Sequence, residues 1–217
     1  MNSVYYSKSP SSLWFVPEWD GPLRITGKGV LKPEDAQVHN PDKDWNGAFC
    51  DIKITEPTTE IYGGFLEAFK SMTYLRLPKS VTEIHMTDGL RQLLCQNKVT
   101  INAAYGSIGE KIAEENGLIF HPTDILLCWE HDSRYNESVN ITLRFLKNGE
   151  TDIFYDHITQ GASAGSNSGA SKSEKMPEGY YRGCSISEFA DLFPPCYHDQ
   201  IINNRELKIF LEKQKRE

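Results

Sequence analysis

Residues 51–61 read DIKITEPTTEI and residues 74–84 read YLRLPKSVTEI, nearly the same phrase twice. An offset of 23 residues separates Ile52 from Leu75, Ile54 from Leu77 and Ile61 from Ile84. A weaker copy, KVTINAAYGSI at 98–108, follows at an offset of 24 and aligns Val99 with Leu75, Ile101 with Leu77 and Ile108 with Ile84. Upstream, PLRITGKGVL at 22–31 offers a further short strand through Leu23 and Ile25. A unit of this length is neither a lone hairpin nor a helix pair, so it must bury its apolar side against the next unit. The apolar residues alternate, which puts Ile52/Ile54, Leu75/Leu77 and Val99/Ile101 on one inward face. GGFLEAF (63–69) and DGLRQLLC (88–95) carry the chain back between strands.

The period falls within the roughly 20–29 residues of a leucine-rich repeat. The expected fold is an α/β leucine-rich-repeat solenoid of short parallel strands with an appended small α+β unit. EAFKSMTYLRLPKSVTEI (67–84) resembles the BspA-like bacterial leucine-rich repeat, whose unit reads AF-x-x-C-x-x-L-x-x-I-x-[LI]-P-x-S-V-T-x-I. Ala68, Phe69, Leu75, Leu77, Pro78, Ser80, Val81, Thr82 and Ile84 fit it, while Met72 or Ser71 stands where that family has Cys. WDGPLRITGKGVL (19–31) is similar to the family's opening strand and VTINAAYGSIGEKIAEENGLIF (99–120) to its closing segment. In that closing segment Ser107 and Glu110 predict a capping box and Asn116-Gly117 a helix stop. A polar-faced terminator of this kind would end a stack of repeats.

These readings divide the chain into an N-terminal segment (1–18), the repeat region (19–122) and a small α+β domain (123–217). In the last, DILLCWE (124–130) and SVNITLRFL (138–146) read as strands, and Asn148-Gly149 marks a hairpin. A three-residue loop at 147–149 pairs Leu143 with Ile153 and Ile141 with Tyr155, keeping the apolar residues together. A two-residue loop would pair Leu143 with Phe154 instead. Residues 160–176, rich in Gly, Ser and Ala, predict a flexible loop. Ser185 and Glu188 predict a capped helix facing inward through Ile186, Phe189 and Phe193. A last helix over roughly 202–215 carries Leu207, Phe210 and Leu211.

The net charge of −7 argues against general nucleic-acid binding. No stretch approaches the roughly 20 apolar residues of a membrane span. No signal peptide is visible, which predicts a cytoplasmic protein, or a secreted or surface one if a leader was removed. The five scattered cysteines read as reduced thiols. No metal or cofactor is expected, and His85 and His121 read as structural residues. The outward strand positions Arg24, Lys53, Arg76 and Thr100 would line one sheet face, with Tyr74 beside them as an aromatic anchor. Like charges stacked in this way are destabilising, and they point to an acidic surface opposite, on a partner or on the chain's own second half. Asp51 and Glu83 offer local compensation instead. The function expected is therefore a non-catalytic protein-binding module, one form being a cytoplasmic inhibitor or immunity protein for a toxin. The alternative is a cysteine-dependent hydrolase in the C-terminal half, using Cys184 or Cys196, His157 or His198, and Asp156 or Asp199.

Overall fold

The computed structural model describes residues 7–8, 13–17, 21–36, 48–131, 137–146, 151–159, 170–176, 183–193 and 195–215. The chain divides into two compact units, Met1–Pro122 and Thr123–Glu217. The first contains β1 (Ser7–Lys8), β2 (Trp14–Pro17), β3 (Leu23–Thr26), β4 (Val30–Leu31), β5 (Asp51–Ile54) and β6 (Glu60–Tyr62). It continues through α1 (Gly63–Leu66), β7 (Tyr74–Arg76), β8 (Glu83–His85), α2 (Asp88–Gln96), β9 (Thr100–Ala103), α3 (Ile108–Glu115) and β10 (Phe120–Pro122).

The expected fold, a leucine-rich-repeat solenoid of short parallel strands, is corrected by these sheets. The chain is a mixed α/β protein, with three sheets among the described residues: one mixed, one parallel and one antiparallel. The mixed sheet has seven strands in the order β1-β2-β3-β5-β7-β9-β10. Its first three strands pair antiparallel and the rest parallel. The parallel sheet has three strands, β4-β6-β8. The two closely matching copies thus encode two strands each rather than one, while the third gives one strand, β9, and the start of α3 at Ile108. DIKI and YLR enter the long sheet, while the two TEI segments pair with each other in the short one.

The register follows the alternation. Leu23 lies opposite Ile52, Ile52 opposite Leu75 and Leu75 opposite Ile101. On the short sheet Leu31, Ile61 and Ile84 form the matching row. All seven side chains join one core with Phe65, Phe69, Leu90, Leu94 and Ile112. Met72 is completely buried in that core. Between the sheets the turns stack through backbone carbonyls. Thr59 donates its N–H to Gly29 O at 2.7 Å, and Thr82 donates its own to Thr59 O at 2.9 Å. The Thr58 hydroxyl donates to Lys28 O at 3.0 Å, and the Ser80 hydroxyl to Thr58 O at 2.6 Å. These bonds satisfy turn carbonyls that burial would otherwise leave unpaired.

Helices α2 and α3 start on hydroxyl caps. Thr87 caps α2 by accepting the Leu90 N–H at 3.1 Å. At α3 the Ser107 hydroxyl accepts Glu110 N–H at 3.4 Å, but the Glu110 carboxylate takes the N–H of Gly106, at 2.6 Å. Gly109 lets α3 approach β9: an added Cβ would lie 2.6 Å from Ala103 Cβ.

The second unit contains β11 (Ile125–His131), β12 (Glu137–Phe145), β13 (Thr151–Thr159) and β14 (Ala170–Met176), paired antiparallel in sequence order. Leu143 lies opposite Ile153 and Ile141 opposite Tyr155, the register of the three-residue loop, although 147–150 themselves lie outside the described residues. The flexible loop expected over 160–176 is corrected in part, because 170–176 is strand β14. Residues 160–169 lie outside the described set. ASKSEKM has no apolar face, but an edge strand needs only backbone bonds to β13, and charged residues suit an edge.

Three helices follow: α4 (Ile186–Ala190), α5 (His198–Asn203) and α6 (Arg205–Gln214). Ser185 and Glu188 form the expected capping box on α4. The helix expected over 202–215 is split, because Asn204 leaves helical geometry and caps α6 by accepting the Leu207 N–H at 2.9 Å. Leu207, Phe210 and Leu211 are buried, and Phe210 meets Phe145 edge-on at 5.4 Å.

Candidate functional site

The outward face of the long sheet is built by alternation on strands whose other side is core. Arg24 pairs directly with Lys53, and Lys53 with Arg76, so three cations stack across β3, β5 and β7. The next position is Asn102, which pairs with Arg76, and then His121. Thr100 therefore does not extend the row of charges. It lies opposite Tyr74, beside Asp51, in the neighbouring row. The offset of 24 was two residues short: Leu75 faces Ile101, not Val99. A two-residue slip keeps a side chain on the same face, so alternation alone does not reveal it.

The face is cross-linked internally. Arg76 donates to Asp51 twice, Nε to Oδ1 at 3.0 Å and Nη2 to Oδ2 at 2.7 Å. This forked geometry is the strong form of a guanidinium–carboxylate pair. The Arg76 guanidinium also sits 5.0 Å from the Tyr74 ring centre, within cation–π range. The Tyr74 hydroxyl meets His121 Nδ1 at 2.8 Å. Asn102 Nδ2 lies 3.3 Å from the same nitrogen and donates to His121 O at 2.8 Å. With two donors aimed at it, Nδ1 is the acceptor in neutral His121, and the ring proton belongs on Nε2. Burial raises the Tyr74 phenol above its ordinary value, Arg76 opposes that shift and Asp51 adds to it. Tyr74 therefore stays protonated and remains a donor at neutral pH.

The local carboxylate expected to compensate the cations is thus found in Asp51. Glu83 belongs to the other sheet, near His85. Among the described residues, Asp51 is the carboxylate placed beside this row of Arg24, Lys53 and Arg76. Sequence reasoning missed Trp14, Asn102 and the position of His121. Trp14 lies on the same face, two residues from Val16, which pairs with Arg24, and is 38% exposed. The alternation in SLWFVP was the available signal, and Pro17 at the strand end obscured it.

The thiol-enzyme residues are only partly placed. Cys184 is half-buried. His198 lies with Nε2 2.8 Å from Phe193 O and Nδ1 3.9 Å from Asp191. The side chains of Cys196, Asp156 and His157 lie outside the described residues. Among the described residues, the three-way grouping of metal-ligating side chains is Glu60, Glu83 and His85, on the short parallel sheet. No helix among the described residues is long and apolar enough to cross a membrane. No known protein family, curated protein or solved structure gives a match to this chain.

Proposed function

We propose that this chain is a non-catalytic protein-binding module whose docking face is the outer side of the long sheet, around Arg24, Lys53, Tyr74, Arg76 and Thr100. The observation that carries the reading is the Asp51–Arg76–Tyr74–His121–Asn102 network, which fixes an arginine and an aromatic ring on a half-exposed sheet. Arg and Tyr are the residue types that dominate binding hot spots. Side chains already held in place lose less freedom on docking, so more of the contact energy appears as affinity. The cation row favours a partner that presents carboxylates.

Within this class we favour a cytoplasmic inhibitor, for instance the immunity partner of a toxin. Net acidity and the thiols of Cys50 and Cys95, outside any disulfide, support a reducing compartment and a binding role. The test is affinity capture from the native cell, followed by titration of the captured protein with wild type, Lys53→Glu and Arg76→Glu. The reading expects each reversal to weaken binding at least about tenfold, the loss of one charged hydrogen-bonded contact. Unchanged affinity in both folded variants would refute it.

A further inference from the structure

The TEI motif, repeated in the sequence, puts two carboxylates face to face. Glu60 on β6 lies directly opposite Glu83 on β8 in a parallel pair. Neighbouring strands are about 4.8 Å apart, and like charges directly opposite are destabilising. Two residues on, the next row of the same face brings Tyr62 opposite His85. The rings stack at 4.2 Å with planes 29° apart, which fixes the imidazole over the strand pair. His85 Nε2 lies 2.7 Å from Glu60 Oε1, a full hydrogen bond. That bond places the proton of the neutral ring on Nε2 and leaves the Nδ1 lone pair directed elsewhere. Nδ1 lies 3.6 Å from Glu83 Oε1, beyond hydrogen-bond distance. A lone pair facing a carboxylate oxygen across that gap is repulsive unless a proton or a metal ion sits between them.

We propose that Glu83 and His85 Nδ1 bind a divalent transition-metal ion of the zinc class, with Glu60 holding the imidazole ring in place. One ligand atom from each residue lies within 4.8 Å of the others. Two donors on a tetrahedral zinc are separated by about 3.4 Å given bonds near 2.0–2.1 Å. The 3.6 Å gap between His85 Nδ1 and Glu83 already has that span. Glu60 fixes the ring through Nε2, the role that a carboxylate plays behind zinc-bound histidine. An imidazole ligand selects zinc-like ions over calcium and magnesium, which prefer oxygen alone. The Glu83 side chain is 61% exposed, so the ion enters from solvent and water completes its shell.

The experiment is calorimetric titration of Zn2+ into the full reduced chain, repeated with Glu83→Gln and His85→Gln. Both variants are checked for an unchanged circular dichroism spectrum. The proposal expects a site that each variant weakens at least about tenfold, and that excess Ca2+ does not compete for. In 15N-labelled wild type, zinc should shift the Nδ1 resonance of His85. Failure of the wild type to bind zinc would overturn the proposal. So would binding that both variants retain, because the ion would then sit on other ligands.

Discussion

Arg76 occupies the centre of the outer face, and its bonds make testable demands. Arg76 and Asp51 are partly solvated, their side chains 40% and 28% exposed, so the pair's net worth to stability is small. Asp51→Asn should change unfolding free energy by no more than about 1 kcal/mol in urea denaturation. Tyr74→Phe removes the hydroxyl that donates to His121 and should cost about 1 kcal/mol. A loss several times larger for either would mean that the network holds the fold rather than dressing its surface. Arg24, Lys53, Arg76 and Tyr74 were legible in the sequence because an outward position follows once the inward ones are known. Asn102 and Thr100 were exchanged because both point outward, and the third copy has no TEI to fix its register.

At the scale of elements, Gly109 shows how closely α3 lies on β9. In an unhindered helix, Gly→Ala gains about 0.5–1 kcal/mol. Here the new methyl would meet Ala103 Cβ at 2.6 Å and Leu77 Cδ1 at 3.1 Å. A Cβ cannot rotate away, and overpacking costs about 1–3 kcal/mol. Gly109→Ala should therefore lower the melting temperature, and a rise would show that α3 sits further out. The α4 capping box gives a pH prediction. The Ser185 backbone N–H, followed by its hydroxyl, holds the Glu188 carboxyl below its ordinary value. A depressed carboxyl stabilises the fold above its unfolded-state pKa, and the contribution fades as pH falls through the folded-state value. Glu188→Gln should flatten that acid-side loss in unfolding titrations across the carboxylate range. The S-x-x-E spacing announced this cap. The same spacing at Ser107 misled in detail, because the Glu110 carboxylate reaches Gly106 instead. Strands β2 and β10 were not legible as strands. They are short, end in proline, and owe their strand geometry to pairing with β3 and β9.

For the whole molecule, periodicity revealed repeated strands but not how many sheets share them. Each copy's third apolar position, Ile61 or Ile84, was assigned no strand of its own, yet it lies within one in a separate sheet. The cations stacked across β3, β5 and β7 predict that partner affinity falls as salt rises, since exposed charges are screened within about 10 Å at 0.1 M. The most direct test of the docking face is a photoreactive phenylalanine analogue placed at residue 74 of the full chain in the native cell. A matched control carries it at residue 111, on the exposed side of α3. The account predicts an adduct with a single protein from position 74 and none from 111. An adduct formed from 111 alone, or from neither position while capture still yields the partner, would contradict it.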